Sequence, residues 1–219
     1  MDGKVAFFCI VAYLIPSTWE AIAHKLLLHA TTQARFRWRR WGMLGQLFRQ
    51  AHFYHYRIHH RRTYRPNLFT QFRDAREKEH LDAALKGEIA ERLQANRYGT
   101  TISAPWEVIT YVAIPLIVSI ALFLSLAPSM LPMGIILSFG PYLLTKYVHP
   151  ILHMSSEEIS AIHGKFVQII AKTPAFQFLQ TYHHRHHRNE NCHFNLMLGA
   201  DWIILNFFRA FAQCKAKLN

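Results

Sequence analysis

Acidic residues are in short supply. Thirteen Asp and Glu against 25 Lys and Arg leave a formal net charge of +12, and no acidic side chain occurs between His24 and Arg73. Cysteine is scarcer still. Cys9, Cys192 and Cys214 form no CxxC pair, which excludes a zinc ribbon and a disulfide-stapled scaffold. Internal repeats and low-complexity tracts are also missing, so the 219 residues read as one domain. A positive excess of this size suits nucleic acid or an anionic membrane surface. The placement of the apolar residues decides between them.

Three stretches are nearly free of charge. Val5–Ala23 carries only Glu20, Trp106–Ala127 only Glu107 and Leu131–Tyr147 only Lys146. Each approaches the roughly 20 residues that cross a bilayer. The link Ser125–Gly134 holds two prolines and no charge, and reads as a tight turn between the second and third spans. Eleven Lys and Arg lie between His24 and Arg73, and the tail beyond His153 is basic as well. The positive-inside rule then puts both segments on the cytoplasmic side. Topology accounts for the positive charge, and no nucleic acid is expected as a partner. Val5–Ala23 also has the length of a secretory leader, but no small-residue cleavage site follows it, which favours an uncleaved anchor. The expected fold is an all-α integral membrane protein. About three transmembrane helices, near residues 5–23, 106–127 and 131–147, would carry a cytoplasmic helical cap formed by residues 24–104 and 148–219. Within the cap, Phe72–Asn96 reads as one amphipathic helix with Gly87 inside it, and Glu157–Lys172 as another. Leu196–Phe211 reads as a helix lying in the interface.

Fifteen histidines are the unusual abundance. Most fall in four clusters: His24 and His29; His52, His55, His59 and His60; His149 and His153; and His183, His184, His186 and His187. Residues three and four apart share a helix face. On that spacing His183, His186 and His187 converge on one point, as do His149 with His153 and His55 with His59. Positions 24 and 29 are about 140° apart on a regular helix, so they need a broken turn or serve different metals. Imidazole is a good ligand for iron, zinc, copper and nickel. Ten imidazoles exceed the needs of one ion, and two metals are the natural count. Topology brings all four clusters to one membrane face. His80, His163, His184 and His193 fall outside the pattern.

These clusters, in this order, resemble the histidine boxes of the fatty acid hydroxylase / sterol desaturase superfamily of membrane di-iron enzymes. The boxes read His24/His29, His55/His59/His60, His149/His153 and His183/His186/His187, with His52 as an alternative ligand to His55. Trp19-Glu20 before the first box and Lys25 within it resemble the family's opening; Tyr182, Asn195, Gly199 and Asp201 resemble its closing segment. The resemblance runs from about Glu20 to Asp201. It implies two iron ions, with zinc as a substitute in purified protein, and an O2-dependent hydroxylase acting on a C–H bond of a lipid drawn from the bilayer. Fatty acyl, sphingolipid and sterol or terpenoid substrates all remain open. Two electrons per turnover would come from an external donor of the cytochrome b5, ferredoxin or rubredoxin type, because no haem-binding module is present: His149-Pro150 is not followed by glycines. Glu20, Asn195 and Asp201 are the candidates for orienting metal-bound imidazoles. A lipid desaturase of the same superfamily and, from another class, a membrane metal transporter or metal-binding protein are the alternatives. The Lys215–Asn219 ending has dilysine spacing, so both the endoplasmic reticulum and a bacterial inner membrane stay open. Oligomeric state is not legible.

Overall fold

The computed structural model describes residues 3–65, 67–85, 87–95, 97–101, 105–189, 192 and 194–202. Every regular element among them is helical. Three helical runs, Gly3–Leu28, Val108–Leu126 and Pro128–Leu152, are long and apolar enough to cross a membrane. The first comprises α1 (Gly3–Ala23) and a π-helical turn, His24–Leu28. The chain continues through α2 (Thr32–Trp38), α3 (Gly42–His52) and a second π-helical segment, Phe53–His60. Two short helices, α4 (Ala75–Ala84) and α5 (Glu88–Ala95), precede α6 (Pro105–Leu126), which forms the second span.

The third run is interrupted. It is assembled from α7 (Leu131–Ser138), α8 (Gly140–Leu143), a π turn over Leu144–Val148 and α9 (His149–Leu152). Pro141 and Pro150 stand at the starts of α8 and α9, where a missing N–H costs least. The first and third spans outrun the stretches expected from hydropathy because the histidine turns continue them without a break. Beyond α9 come α10 (Ser156–Ile162), α11 (Lys165–Ala171) and α12 (Pro174–Arg188).

Two expected helices are each divided. Phe72–Asn96 splits into α4 and α5 because Leu85 leaves the helix in an extended conformation, and Gly87, at φ +62°, turns the chain immediately before α5. Glu157–Lys172 splits into α10 and α11 because His163 is extended and Gly164 opens the next helix. The interfacial helix expected over Leu196–Phe211 lies outside the described residues from position 203 onward.

The spans pack through small residues. Ala12 and Phe123 are fully buried, with Phe8, Val11, Ile15 and Leu122 around them. Gly134 meets this cluster face to face. A Cβ at that position would stand 2.5 Å from Phe123 Cδ2 and 3.2 Å from Ser119 Cβ. Close approach through a small residue is the usual way helices associate in lipid, where no hydrophobic drive separates helix from solvent. Outward faces carry exposed Phe7, Ile10, Ile117, Leu124 and Ile136, as lipid contact requires. Replacing Gly134 with Ala is expected to overpack this contact and lower stability by about 1–3 kcal/mol. A thermal-unfolding midpoint in detergent equal to that of the parent protein would refute the close contact.

Candidate metal centre

The histidines gather at the end of the bundle where the first and third spans finish and the second begins. Two groups of five form. His24, His29, His55, His60 and His186 make the first; His59, His149, His153, His183 and His187 make the second. Within each group, one ring nitrogen from every member lies within 4.8 Å of all the others. All ten histidines of the four boxes are brought together. His52 is left out of both groups, while His55 sits at the heart of the first.

Local helix geometry explains the partition. In the turn after α1, the His29 N–H donates to the His24 carbonyl over 3.0 Å. This i→i+5 bond is the mark of a π turn, and it closes one full turn over five residues. His24 and His29 thereby face the same way, which a regular helix forbids. His55 and His60, also five apart, sit on the second π segment and join the same group. The second group takes its pairs at four-residue spacing instead: His149 with His153, and His183 with His187 on α12. Two boxes therefore straddle the groups. The second sends His59 away from His55 and His60, and the fourth sends His186 away from His183 and His187. The convergence expected for His183, His186 and His187 on one point does not occur, nor does that of His55 with His59.

Backbone carbonyls fix the orientation of the rings. Nδ1–H of His24 donates to the Phe194 carbonyl over 2.7 Å and that of His186 to Cys192 over 2.6 Å. In the second group His149 donates to Thr100 over 2.6 Å and His153 to Leu68 over 2.8 Å. A carbonyl only accepts, so each bond places the proton on Nδ1 and leaves the Nε2 lone pair free to bind. These Nε2 atoms point at one another. His55 Nε2 stands 3.1 Å from His24 Nε2, 3.2 Å from His29 Nε2 and 3.1 Å from His60 Nε2. His183 Nε2 stands 3.1 Å from that of His149 and 2.8 Å from that of His153. One nitrogen cannot share protons with three neighbours. A cation with nitrogen bonds of about 2.1 Å sets ligands at right angles about 3 Å apart, which is the spacing observed. His59 is fully buried with neither ring nitrogen hydrogen-bonded, and His187 Nε2 is likewise buried without a partner. Such groups are costly unless satisfied, and a metal ion would satisfy them. The buried clusters fit a metal.

The carbonyls serving the second group are held on strained backbone. Leu68 has φ +70°, and Arg97, Tyr98 and Gly99 have φ +50°, +55° and +89° immediately before Thr100. Each non-glycine residue in this region costs about 1–2 kcal/mol, and such strain concentrates at functional sites. Gly99 also lets its segment approach the second π segment: a Cβ there would lie 2.5 Å from the Tyr54 carbonyl oxygen. None of these carbonyls was identifiable beforehand, since every residue has one. Tyr64, stacked on His153 at 4.2 Å, was also missed.

The three expected orienting residues act at one remove. Glu20 Oε1 and Oε2 accept from the N–H groups of Leu196 and Met197 over 2.6 and 2.9 Å. Asn195 Nδ2 donates to the Ser17 carbonyl over 2.7 Å. Asp201 accepts from the Tyr182 hydroxyl over 2.5 Å and from the Gly199 N–H over 3.3 Å. Glu20 and Asn195 clamp the segment after α12 against α1, and Phe194, the carbonyl partner of His24, sits on that segment. Of the histidines outside the boxes, His80 is exposed and His163 half-buried, while His193 lies outside the described residues. His184 is buried and donates from Nε2 to the Leu152 carbonyl over 2.9 Å.

A narrow cavity of about 70 Å³ reaches both groups, touching His24 and His55 of the first and His149 and His183 of the second. Leu28, Ala51, Tyr54, Tyr111, Phe194 and Leu196 line most of the rest, joined by Gly99, Thr101, Thr110, Thr145 and Glu20, whose carboxylate is taken up by the Leu196 and Met197 N–H groups. The Thr145 hydroxyl is turned to the Pro141 carbonyl, which leaves the wall largely apolar. Comparison with family models, curated proteins and solved structures gives no match.

Two outcomes follow from this geometry. His55→Ala is expected to lower metal content by about one ion per chain, and His59→Ala by about one from the other group. His52→Asn, which keeps a donor for the Leu28 carbonyl that His52 Nδ1 now bonds, should leave content unchanged. Elemental analysis of the purified proteins decides, and equal losses in all three would refute the partition. The second outcome concerns acid. Burial first, and neighbouring imidazoles second, hold His29, His55, His59, His60 and His187 well below their usual 6.5. Burial also lowers His52 to about 4, against the opposing pull of the Leu28 carbonyl. The unfolded chain therefore binds more protons than the folded one between about pH 6.5 and 4. Stability of the metal-free protein is then present above pH 6.5 and lost as pH falls through that window. Melting temperatures of chelator-treated protein at pH 7.5 and 5 should differ accordingly; equal values would contradict buried neutral imidazoles.

Proposed function

We propose that this chain is a membrane di-iron oxygenase that hydroxylates a C–H bond of a lipid substrate. The observation that carries this reading is the meeting of two five-histidine groups at one apolar cavity between membrane-length helices. A metal transporter needs its ligands along a polar path; here they close on two compact points beside an apolar slot. Five imidazoles per group would favour iron over zinc, which is usually satisfied by four ligands. The resemblance of the ordered boxes to the fatty acid hydroxylase / sterol desaturase superfamily supports the same choice.

Two iron ions so bound would supply O2 reduction and abstraction of hydrogen from an unactivated C–H bond, with two electrons per turnover from an external donor. The chain's own contribution is positional. Carbonyls of Phe194, Cys192, Thr100 and Leu68 lock four imidazoles in the Nδ1–H tautomer. Leu28, Tyr111 and Leu196 would hold a hydrocarbon segment against His24 and His149 and keep water from it. Access from the bilayer, between the first and second spans, suits a lipid. The basic segment after the first span supports a site on the cytoplasmic face of its membrane, by the positive-inside rule.

Mass spectrometry of membrane lipids from cells expressing active or His186→Ala protein under 18O2 tests this reading. The expected result is a lipid gaining one 18O atom with the parent protein alone. A lipid losing two hydrogens without 18O would identify a desaturase instead. No lipid change, together with metal-dependent growth, would replace the oxygenase by a transporter.

A further inference from the structure

A second concavity lies on the far side of the second π segment from the histidines, and nothing in the proposed chemistry uses it. It is a groove of about 820 Å³, within the range of small-ligand sites. Five arginines line it against two carboxylates. Both carboxylates are already committed: Asp74 accepts from the Glu77 N–H at the start of α4, and Glu77 accepts from the backbone and guanidinium of Arg73. Arg61 is turned onto Tyr56. Arg57, Arg62 and Arg76 are exposed and make no ion pair among the described residues.

The floor between these arginines is apolar. Phe53, Phe72, Leu81 and Leu85 line the groove and pack onto the buried cluster of Tyr54, Ile58, Leu93 and Tyr98. Tyr54 in turn lines the histidine cavity, so one hydrophobic cluster forms the wall between the two. Three unpaired guanidiniums above an apolar floor are complementary to a phosphate joined to an apolar or planar body. Guanidinium binds phosphate with two parallel hydrogen bonds, and the aromatic and leucine surface takes the remainder. We propose that this groove is a binding site for a phosphate ester of that kind, held by Arg57, Arg62 and Arg76. Such a group occurs both on a phospholipid headgroup and on a nucleotide-linked acyl carrier.

The two sources are separated by titrating full-length protein in maltoside micelles with dihexanoyl phosphatidic acid in one arm and coenzyme A in the other. Binding is read by calorimetry, so it does not depend on turnover, and failure of the oxygenase reading would leave it intact. Saturable one-to-one binding of either probe is expected, weakened at least tenfold in Arg57→Gln/Arg62→Gln/Arg76→Gln. Ala84→Trp, which fills the groove and leaves every charge in place, should weaken it comparably. Arg37→Gln/Arg39→Gln/Arg40→Gln, with the same loss of charge elsewhere, should not. The proposal is overturned if neither probe saturates, or if the remote triple variant loses as much as the groove variant. It is also overturned if Ala84→Trp binds normally, which would point to a flat basic face suited to an acidic protein.

Discussion

A hydrogen bond reaching back five residues rather than four shapes the site. At the end of the first span the His29 N–H finds the His24 carbonyl, and the widened turn aligns two imidazoles that a regular helix would hold about 140° apart. The same widening across Phe53–His60 aligns His55 with His60 and frees His59 to face elsewhere. Each π turn gives up the better-packed α geometry over a few residues. π turns of this kind are frequent at functional sites, and here two of them supply four of the five histidines of one group.

The rest of the architecture serves to hold carbonyls still. Phe194 is carried on a segment that Glu20 grips through two N–H groups and Asn195 ties to Ser17. Thr100 follows three consecutive residues with positive φ, and Leu68 has positive φ itself. An imidazole ring is thus oriented by backbone that other parts of the fold have forced into place. The acidic residue inside the first span is best understood this way: it fastens the segment after α12 to the start of the chain.

Much of this was legible in the sequence, for reasons of length and period. The three spans are evident because few residues other than lipid-facing ones run so long without charge. The ten histidines are evident because their spacing recurs in order. Their division into two groups was not, because spacing arguments assume α geometry and the site departs from it at two turns. The division of Phe72–Asn96 turned on extended Leu85 and left-handed Gly87, conformations that their identities permit but do not demand. His52 and His55 were indistinguishable by spacing; their positions in the fold separate them, since His55 Nε2 meets three other imidazoles while His52 belongs to neither group. Orienting carbonyls leave no trace in side-chain identity at all.

The rings of His60 and His187 belong to different groups, yet they stack 4.0 Å apart and nearly parallel, at 9°. The second and fourth boxes each contribute to both groups, so the same two helical segments are shared by both. An ion seated in one group would fix the segments that present nitrogens to the other. Were both groups to take an ion, filling one would favour filling the other.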